Sequence, residues 1–414
     1  MSPSRIARYS AITIIGLIII ALLSWYFLIR GRQAELTRAD EGRGTDIAQP
    51  SFTGAIGSTY QNIVSSLSTL VSGEKQDSDT ELPRLAQVGK TPVAGFGFVG
   101  TSTSLRLRFV ERSTGYLLDI EPKTGALKRL TNTLIPAVYN ALITKKGAIL
   151  QNLTASGVVL TTAGTISASS SAQDSSKDSL SALVQKSLPA NIRAITMNPA
   201  TEKLLYIVPN TEGIRGIRSE WDGVKPEEVF TSAITGWRLF DNASGRAVIA
   251  QNPSDEVIGY AYTLSKNGSM EPLLKNLPGL TVLPHPSSKA LLYGTSNGSL
   301  TLYAQVDEKA SRAVLPIRTS ADKCVWSPTE KLVAFCAVPQ GTLPTDFLDE
   351  WNRGEFHTSD AWWRVDVGAA SAELLYSPSG FDLDAEQPAV DNSGTYLAFR
   401  NARDKSLWLL RIEK

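Results

Sequence analysis

Residues 326 to 335 read Trp326-Ser-Pro-Thr-Glu-Lys-Leu-Val-Ala-Phe335, a polar turn around a proline followed by an unbroken apolar run. Such a pair marks a turn that leads into a buried strand. From Ser327 onward it aligns without gaps with Asn198-Pro-Ala-Thr-Glu-Lys-Leu-Leu-Tyr206, Asp241-Asn-Ala-Ser-Gly-Arg-Ala-Val-Ile249, His285-Pro-Ser-Ser-Lys-Ala-Leu-Leu-Tyr293 and Asp391-Asn-Ser-Gly-Thr-Tyr-Leu-Ala-Phe399. Their first residues, 198, 241, 285, 327 and 391, stand 43, 44, 42 and 64 apart. A unit of about 43 residues rich in short strands is the size of a four-stranded sheet, here with one late insertion.

One such sheet cannot bury both of its faces, so several must pack radially as the blades of a β-propeller. Leu183-Val-Gln-Lys-Ser-Leu-Pro189 and Leu273-Leu-Lys-Asn-Leu-Pro278 each precede a turn motif and read as outer fourth strands. Blades are expected over residues 92–133, 134–189, 190–233, 234–278, 279–319 and 320–383, and the last repeat, from Gln387, ends one strand short. Arg84-Leu-Ala-Gln-Val88 has the length and position to supply that strand and close the ring, which removes exposed sheet edges. The fold class is therefore all-β, a seven-bladed β-propeller over 83–414 behind an N-terminal transmembrane helix. Six or eight blades are the alternatives, because the first two repeats match poorly.

The stretch Trp326–Phe335 resembles the Trp-Ser-Pro-Asp-Gly-Lys-x-Ile-Ala-Phe repeat of TolB-type and related WD-repeat-like β-propellers, and the resemblance extends over residues 84–414. It departs from that pattern in carrying Thr329-Glu330 in place of Asp-Gly and in lacking Trp-Asp at strand ends. The resemblance implies a rigid platform for protein or ligand recognition, commonly extracytoplasmic in the TolB-like branch. A shared fold does not by itself set the function.

Ahead of the repeats, the chain is uncharged between Arg8 and Arg30, with Ala11-Ile-Thr-Ile-Ile-Gly-Leu-Ile-Ile-Ile-Ala-Leu-Leu-Ser-Trp-Tyr-Phe-Leu-Ile29 at its centre. About 20 apolar residues span a bilayer, and Trp25, Tyr26, Arg30 and Arg32 have interface chemistry. The segment 9–30 is read as a retained transmembrane helix behind a short tail, 1–8. A cleaved signal peptide is the competing reading, but it calls for a shorter apolar region and small residues at the cut. Residues 31–82, rich in Gly, Ser, Thr and mixed charge, are read as a flexible stalk with one weak amphipathic helix at Tyr60–Val71. The flanking charges do not decide orientation.

Cys324 and Cys336 bear on orientation instead, because a hairpin centred on Glu330 sets them opposite each other at bridging distance. A disulfide there would place the domain in an oxidising compartment; two buried thiols are the alternative.

With 41 Lys+Arg against 40 Asp+Glu, the net charge of +1 gives no field for gripping phosphate backbones, so nucleic acid is not expected as a partner. Two His and two Cys leave few zinc ligands and few general bases. Gly294-Thr-Ser-Asn-Gly298 matches a hydrolase nucleophile elbow, but a strand follows Ser296 where that chemistry needs a helix. His285 reads as a turn residue. Asp382, Asp384 and Glu386 lack the loop and glycine of a calcium site and read as solvated acids. No cofactor is expected.

Two insertions remain. Gly164–Ser181 holds a Ser-rich tract unable to form a core, expected as a disordered loop between the third and fourth strands of the second blade. Gln340–Arg364 sets Phe347, Trp351, Phe356, Trp362 and Trp363 among acids and arginines, which suits either a binding surface or a cap packed on its own blade. The leading expectation is a single-pass protein of the cell membrane whose propeller stands outside the cytoplasm and binds a protein or envelope component. The alternative is an extracytoplasmic carbohydrate-active hydrolase or lyase, which needs paired acids at the channel mouth.

Overall fold

The structure, a computed structural model, describes residues 81–413 except 102, 168–179, 266–267 and 308. The tail, the transmembrane segment 9–30, almost all of the stalk and most of the Ser-rich tract lie outside these residues. Among the described residues no helix is long and apolar enough to cross a membrane.

The described chain opens with β1 (Leu85–Gly89). Blade one follows as β2 (Val93–Val99), β3 (Arg106–Glu111), β4 (Leu117–Ile120) and β5 (Leu127–Arg129). Blade two is β6 (Val138–Ile143), β7 (Gly147–Leu153), β8 (Val159–Ile166) and β9 (Leu183–Ser187); blade three is β10 (Ala194–Met197), β11 (Leu204–Asn210), β12 (Gly213–Ser219) and β13 (Glu227–Ser232). Blade four is β14 (Trp237–Asp241), β15 (Ala247–Gln251), β16 (Ile258–Leu264) and β17 (Met270–Pro278); blade five is β18 (Thr281–Pro284), β19 (Leu291–Ser296), β20 (Leu300–Gln305) and β21 (Ala313–Val314). Blade six is β22 (Cys324–Trp326), β23 (Val333–Pro339), β24 (Asp360–Asp366) and β25 (Ser371–Tyr376). Blade seven is β26 (Ala385–Val390), β27 (Tyr396–Asn401), β28 (Leu407–Arg411) and, as its outer strand, β1. All seven sheets are four-stranded, so the count of seven holds.

Alternation along each second strand explains why it reads as an apolar run. In β23, Ala334, Cys336 and Val338 pack against blade five, while Phe335 and Ala337 pack against blade seven. The same division recurs around the ring, giving one apolar cluster between each pair of neighbouring blades. Between blades one and two the inner strands come so close that a Cβ on Gly95 would lie 2.0 Å from the Ala141 carbonyl oxygen. Glycine is the residue that allows this approach, and it makes the first repeat look unlike the others.

The turns between first and second strands share a device. Asn198, His285, Ser327 and Asp391 each accept, through the side chain, backbone N–H groups two and three or more residues on. In blade four this slot belongs to Asn242, which accepts from Ser244 and Arg246, and not to Asp241 as the gapless alignment has it. The turn there is one residue shorter, and Asp241 ends β14, its buried carboxylate 3.3 Å from Arg218 of blade three. Cys324 and Cys336 pair across β22 and β23 with Cα atoms 4.1 Å apart and are joined by a disulfide.

His285 fixes its own protonation. Its Nδ1 accepts from the N–H groups of Ser287 and Ser288, both at 3.1 Å, so Nε2 carries the proton given to the Lys331 carbonyl of the next blade at 2.9 Å. Burial pulls this imidazole below its ordinary value by more than the Lys331 carbonyl raises it.

Two outcomes follow. Removing residues 81–89 should leave β28 with a bare edge, lower the melting temperature and promote aggregation, measured by thermal melting with light scattering; an unchanged melt would mean that β1 does not close the ring. The unfolded chain binds a proton at His285 near pH 6.5 while the folded chain resists it, so this residue's contribution is full above that pH and fades as pH falls through it. Urea titrations of wild type and H285N between pH 7.5 and 5 should show the wild type losing more stability, with equal losses as the contrary result.

Candidate functional site

Antiparallel blades send the links between blades, and the loops between second and third strands, to the same end of the ring, the upper face. Two adjoining cavities open there, of about 650 and about 1240 Å³. They share Arg238, Phe240, Asn252 and Gln387. The smaller reaches Asp322, Asn352 and Arg353, and the larger reaches Tyr139, Asn140, Arg193 and Trp237.

Arg238, on the inner strand of blade four, spans to Asp322 of blade six with two contacts of 2.7 Å. Burial disfavours the guanidinium's charge, but Asp322 more than offsets it and lifts its pKa above the ordinary arginine value. The pair is a strut across the front of blade five, and a fork-to-fork geometry of this kind is stiff as well as strong.

The second insertion roofs the smaller cavity. Its helix α1 (Phe347–Arg353) ends at Gly354, whose φ of 73° is the left-handed conformation glycine adopts readily. Asp346 makes no side-chain cap at the other end. Asp255 of blade four caps it instead, accepting from the N–H groups of Leu348 at 2.7 Å and Asp349 at 3.2 Å. Asp349 in turn accepts from Ser254 Oγ and the Asp255 N–H, both at 2.9 Å. Phe347 and Leu348 bury against Leu300 of blade five. The insertion therefore leaves blade six, crosses blade five and locks onto blade four, so it does not fold solely on its own blade.

Below the helix lies a buried ionic knot. Lys323, wholly inaccessible, donates to Asp384 Oδ1 at 2.6 Å, Asp360 Oδ2 at 2.8 Å, Thr358 Oγ1 at 3.0 Å and the Ala385 carbonyl at 3.1 Å. The Trp351 ring centroid stands 4.7 Å from its Nζ. Asp384 also accepts from Trp351 Nε1, Thr358 Oγ1 and His357 Nδ1, each at 2.9 Å. Burial pushes its carboxyl upward, yet Lys323 and these donors prevail and hold it below the usual range. Asp360 has fewer donors and an orphaned Oδ1; there burial wins and its carboxyl is raised.

The expected site residues are thus dispersed. Phe347 is buried against Leu300, and its ring faces Trp351 and Phe356 at centroid distances of 6.1 and 6.0 Å. Trp362 and Trp363 belong to β24 and not to the loop, and Trp362 is 1% exposed against Phe399 in the core between blades six and seven. Neither Phe347 nor Trp362 offers an exposed surface; Trp351 lines the smaller upper-face cavity, and Phe347 contributes only to the wall of a separate one beside Ser296. Ser296 ends β19 at 1% exposure in a strand hairpin, without the helix of a nucleophile elbow. Asp384 is no solvated acid but the centre of the knot, and Glu386 is held by Arg400 and Lys405. Among the described residues no His, Cys, Asp and Glu gather as a metal site. Lys323, Arg193, Asn252 and Gln387 carry no signal of their role in the sequence, since a lone charge or amide forms no pattern there.

Comparison with known proteins gives no matching family model and no matching curated protein. Among solved structures the chain is similar to the tricorn protease, at 9% identity and a TM-score of 0.49, over 80% of this chain and 34% of that one. It thus spans about a third of that enzyme's length. It is also similar to a chain of a mitotic checkpoint complex, at 10% identity and 0.48, over 90% and 98%, and to a gluconolactonase from Xanthomonas campestris, at 12% and 0.39, over 80% and 89%.

The knot makes a contrast testable. Asp384→Asn removes the counter-charge of a fully buried lysine and should cost about 3 to 5 kcal/mol, whereas Asp360→Asn replaces a carboxyl already pushed toward neutrality and should cost far less. Urea unfolding of the two variants checks this, and equal losses would contradict the assignment.

Proposed function

We propose that this chain is a binding platform whose upper face receives a protein or envelope component, and not an enzyme. One observation carries the reading. Leu134, Leu153, Leu160, Ile234, Val257 and Ile258, each 43 to 62% exposed, all stand on upper-face loops or strand ends of blades two and four or leading into them, the blades that with blade three line the larger cavity. Leu127, Val184, Val224 and Val306, also exposed, lie on lower-face loops or strand ends, singly and on different blades, and none of them lines either upper-face cavity. Exposed apolar side chains on the face that bears a polar hollow are the anatomy of a recognition surface.

The acids of this face weigh against the hydrolase or lyase alternative. Asp322 is bound to Arg238, Asp349 and Asp255 cap and hold α1, and Glu386 is paired twice. Paired catalytic carboxylates need freedom to give and take protons, which these engagements deny. The finer points of the reading rest on sequence: the apolar segment 9–30 as a membrane anchor, and the repeat at Trp326–Phe335 for TolB-type membership. The Cys324–Cys336 disulfide supports a propeller outside the cytoplasm.

The test uses the full-length chain in its own membranes. It should resist carbonate extraction, and a photo-crosslinking residue at Asn352 on the upper face should give a discrete adduct while one at Ala200, on a lower turn, should not. Soluble recovery would overturn the anchor, and the absence of an adduct at Asn352 would overturn the platform.

A further inference from the structure

The geometry points to an acidic, extended peptide segment of the partner protein as the occupant of the larger cavity, an inference that rests on the platform reading and narrows it. The lining of this cavity includes two arginines and no carboxylate. Arg238 is already neutralised by Asp322. Arg193 is not: it is exposed, and no side-chain hydrogen bond or ion pair engages it among the described residues. The hollow therefore holds one uncompensated positive charge on a face that also exposes apolar side chains, which favours an anionic guest.

The rest of the lining states what kind of anion. Asn252 and Gln387, which face both cavities, are exposed and have no side-chain hydrogen bond among the described residues. Each free amide offers both donors and an acceptor, the complement of a peptide group. Gln387 is held at φ 53°, in the left-handed region, where β26 breaks register between Glu386 and Ala389. At about 1240 Å³ the cavity is larger than the roughly 300 to 1,000 Å³ of common small-molecule sites, which suits a segment of chain. Apolar side chains of the same segment would rest on Leu142, Ile195 and Phe240 of the lining.

The experiment builds on the Asn352 photo-crosslink in the full-length protein. The cross-linked partner peptide is sequenced by mass spectrometry, and adduct yield is compared in wild type, R193Q and R193E. The expected result is a segment bearing Asp or Glu, with yield falling about tenfold in R193Q, as for loss of a charge-assisted contact, and further in R193E. Replacing the segment's acids by Lys should restore the adduct to R193E. A neutral or basic segment, or yields indifferent to Arg193, would overturn this inference while leaving the platform reading intact. Loss of the adduct in wild type itself would remove the platform reading. Urea unfolding of R193Q and R193E should match wild type, since Arg193 holds nothing in the fold, which separates lost recognition from lost structure.

Discussion

Each blade is a sheet with two apolar faces, and neither face can meet water at acceptable cost. A strand such as β23 sends Cys336 to one neighbour and Phe335 to the other, so no blade is satisfied until it is flanked on both sides. A closed ring meets this condition for every member at once. The shape of the upper face follows from it: closure directs the inner strands toward a common axis, and the loops at their upper ends surround the two cavities. The cost falls on the inner strands, where backbones crowd, as at Gly95 against Ala141.

Much of this architecture could be read before any coordinates. The turn-and-strand repeat, its spacing and the missing last strand led to seven blades and to closure by the first strand, because apolar period and turn chemistry are local properties written out along the chain. Blade four shows the limit: a turn one residue shorter moves Asn242 into the capping slot, and a gapless comparison cannot register that. The site was less legible. Phe347, Trp351, Phe356, Trp362 and Trp363 look alike in sequence, yet burial separates them, with Trp362 in the core and Trp351 beside a cavity. Lys323, Asp360 and Asp384 meet only because three distant segments converge, and nothing in a linear string announces such a meeting. Asp384 looked like a solvated acid because its neighbours Asp382 and Glu386 are acidic; its true partners lie elsewhere in the chain.

The cap of α1 and the Arg238–Asp322 strut have a common geometry. Both link blade four to blade six and pass over blade five. In a ring where packing joins only adjacent blades, such connections couple second neighbours. Blades four, five and six should behave as one cooperative unit, with the Lys323 knot fastening that unit to blade seven through Asp384 and Ala385. The disulfide works on a smaller scale: it closes a loop within one hairpin, contributing about 3 kcal/mol, and ties no blade to another.

Leu85 pairs with Leu410, so the earliest strand of the propeller finds its partner in the latest one. Synthesis runs in one direction and at a finite rate, and β1 leaves the ribosome long before β28 exists. Throughout that interval an apolar strand must wait unpaired while six blades assemble behind it. The ring is thus completed in a single late event that joins the two ends of the domain, and a chain stopped short of Leu407 leaves the seventh sheet without its third strand. Closure of the ring waits on β28, which makes that strand a checkpoint on the whole propeller.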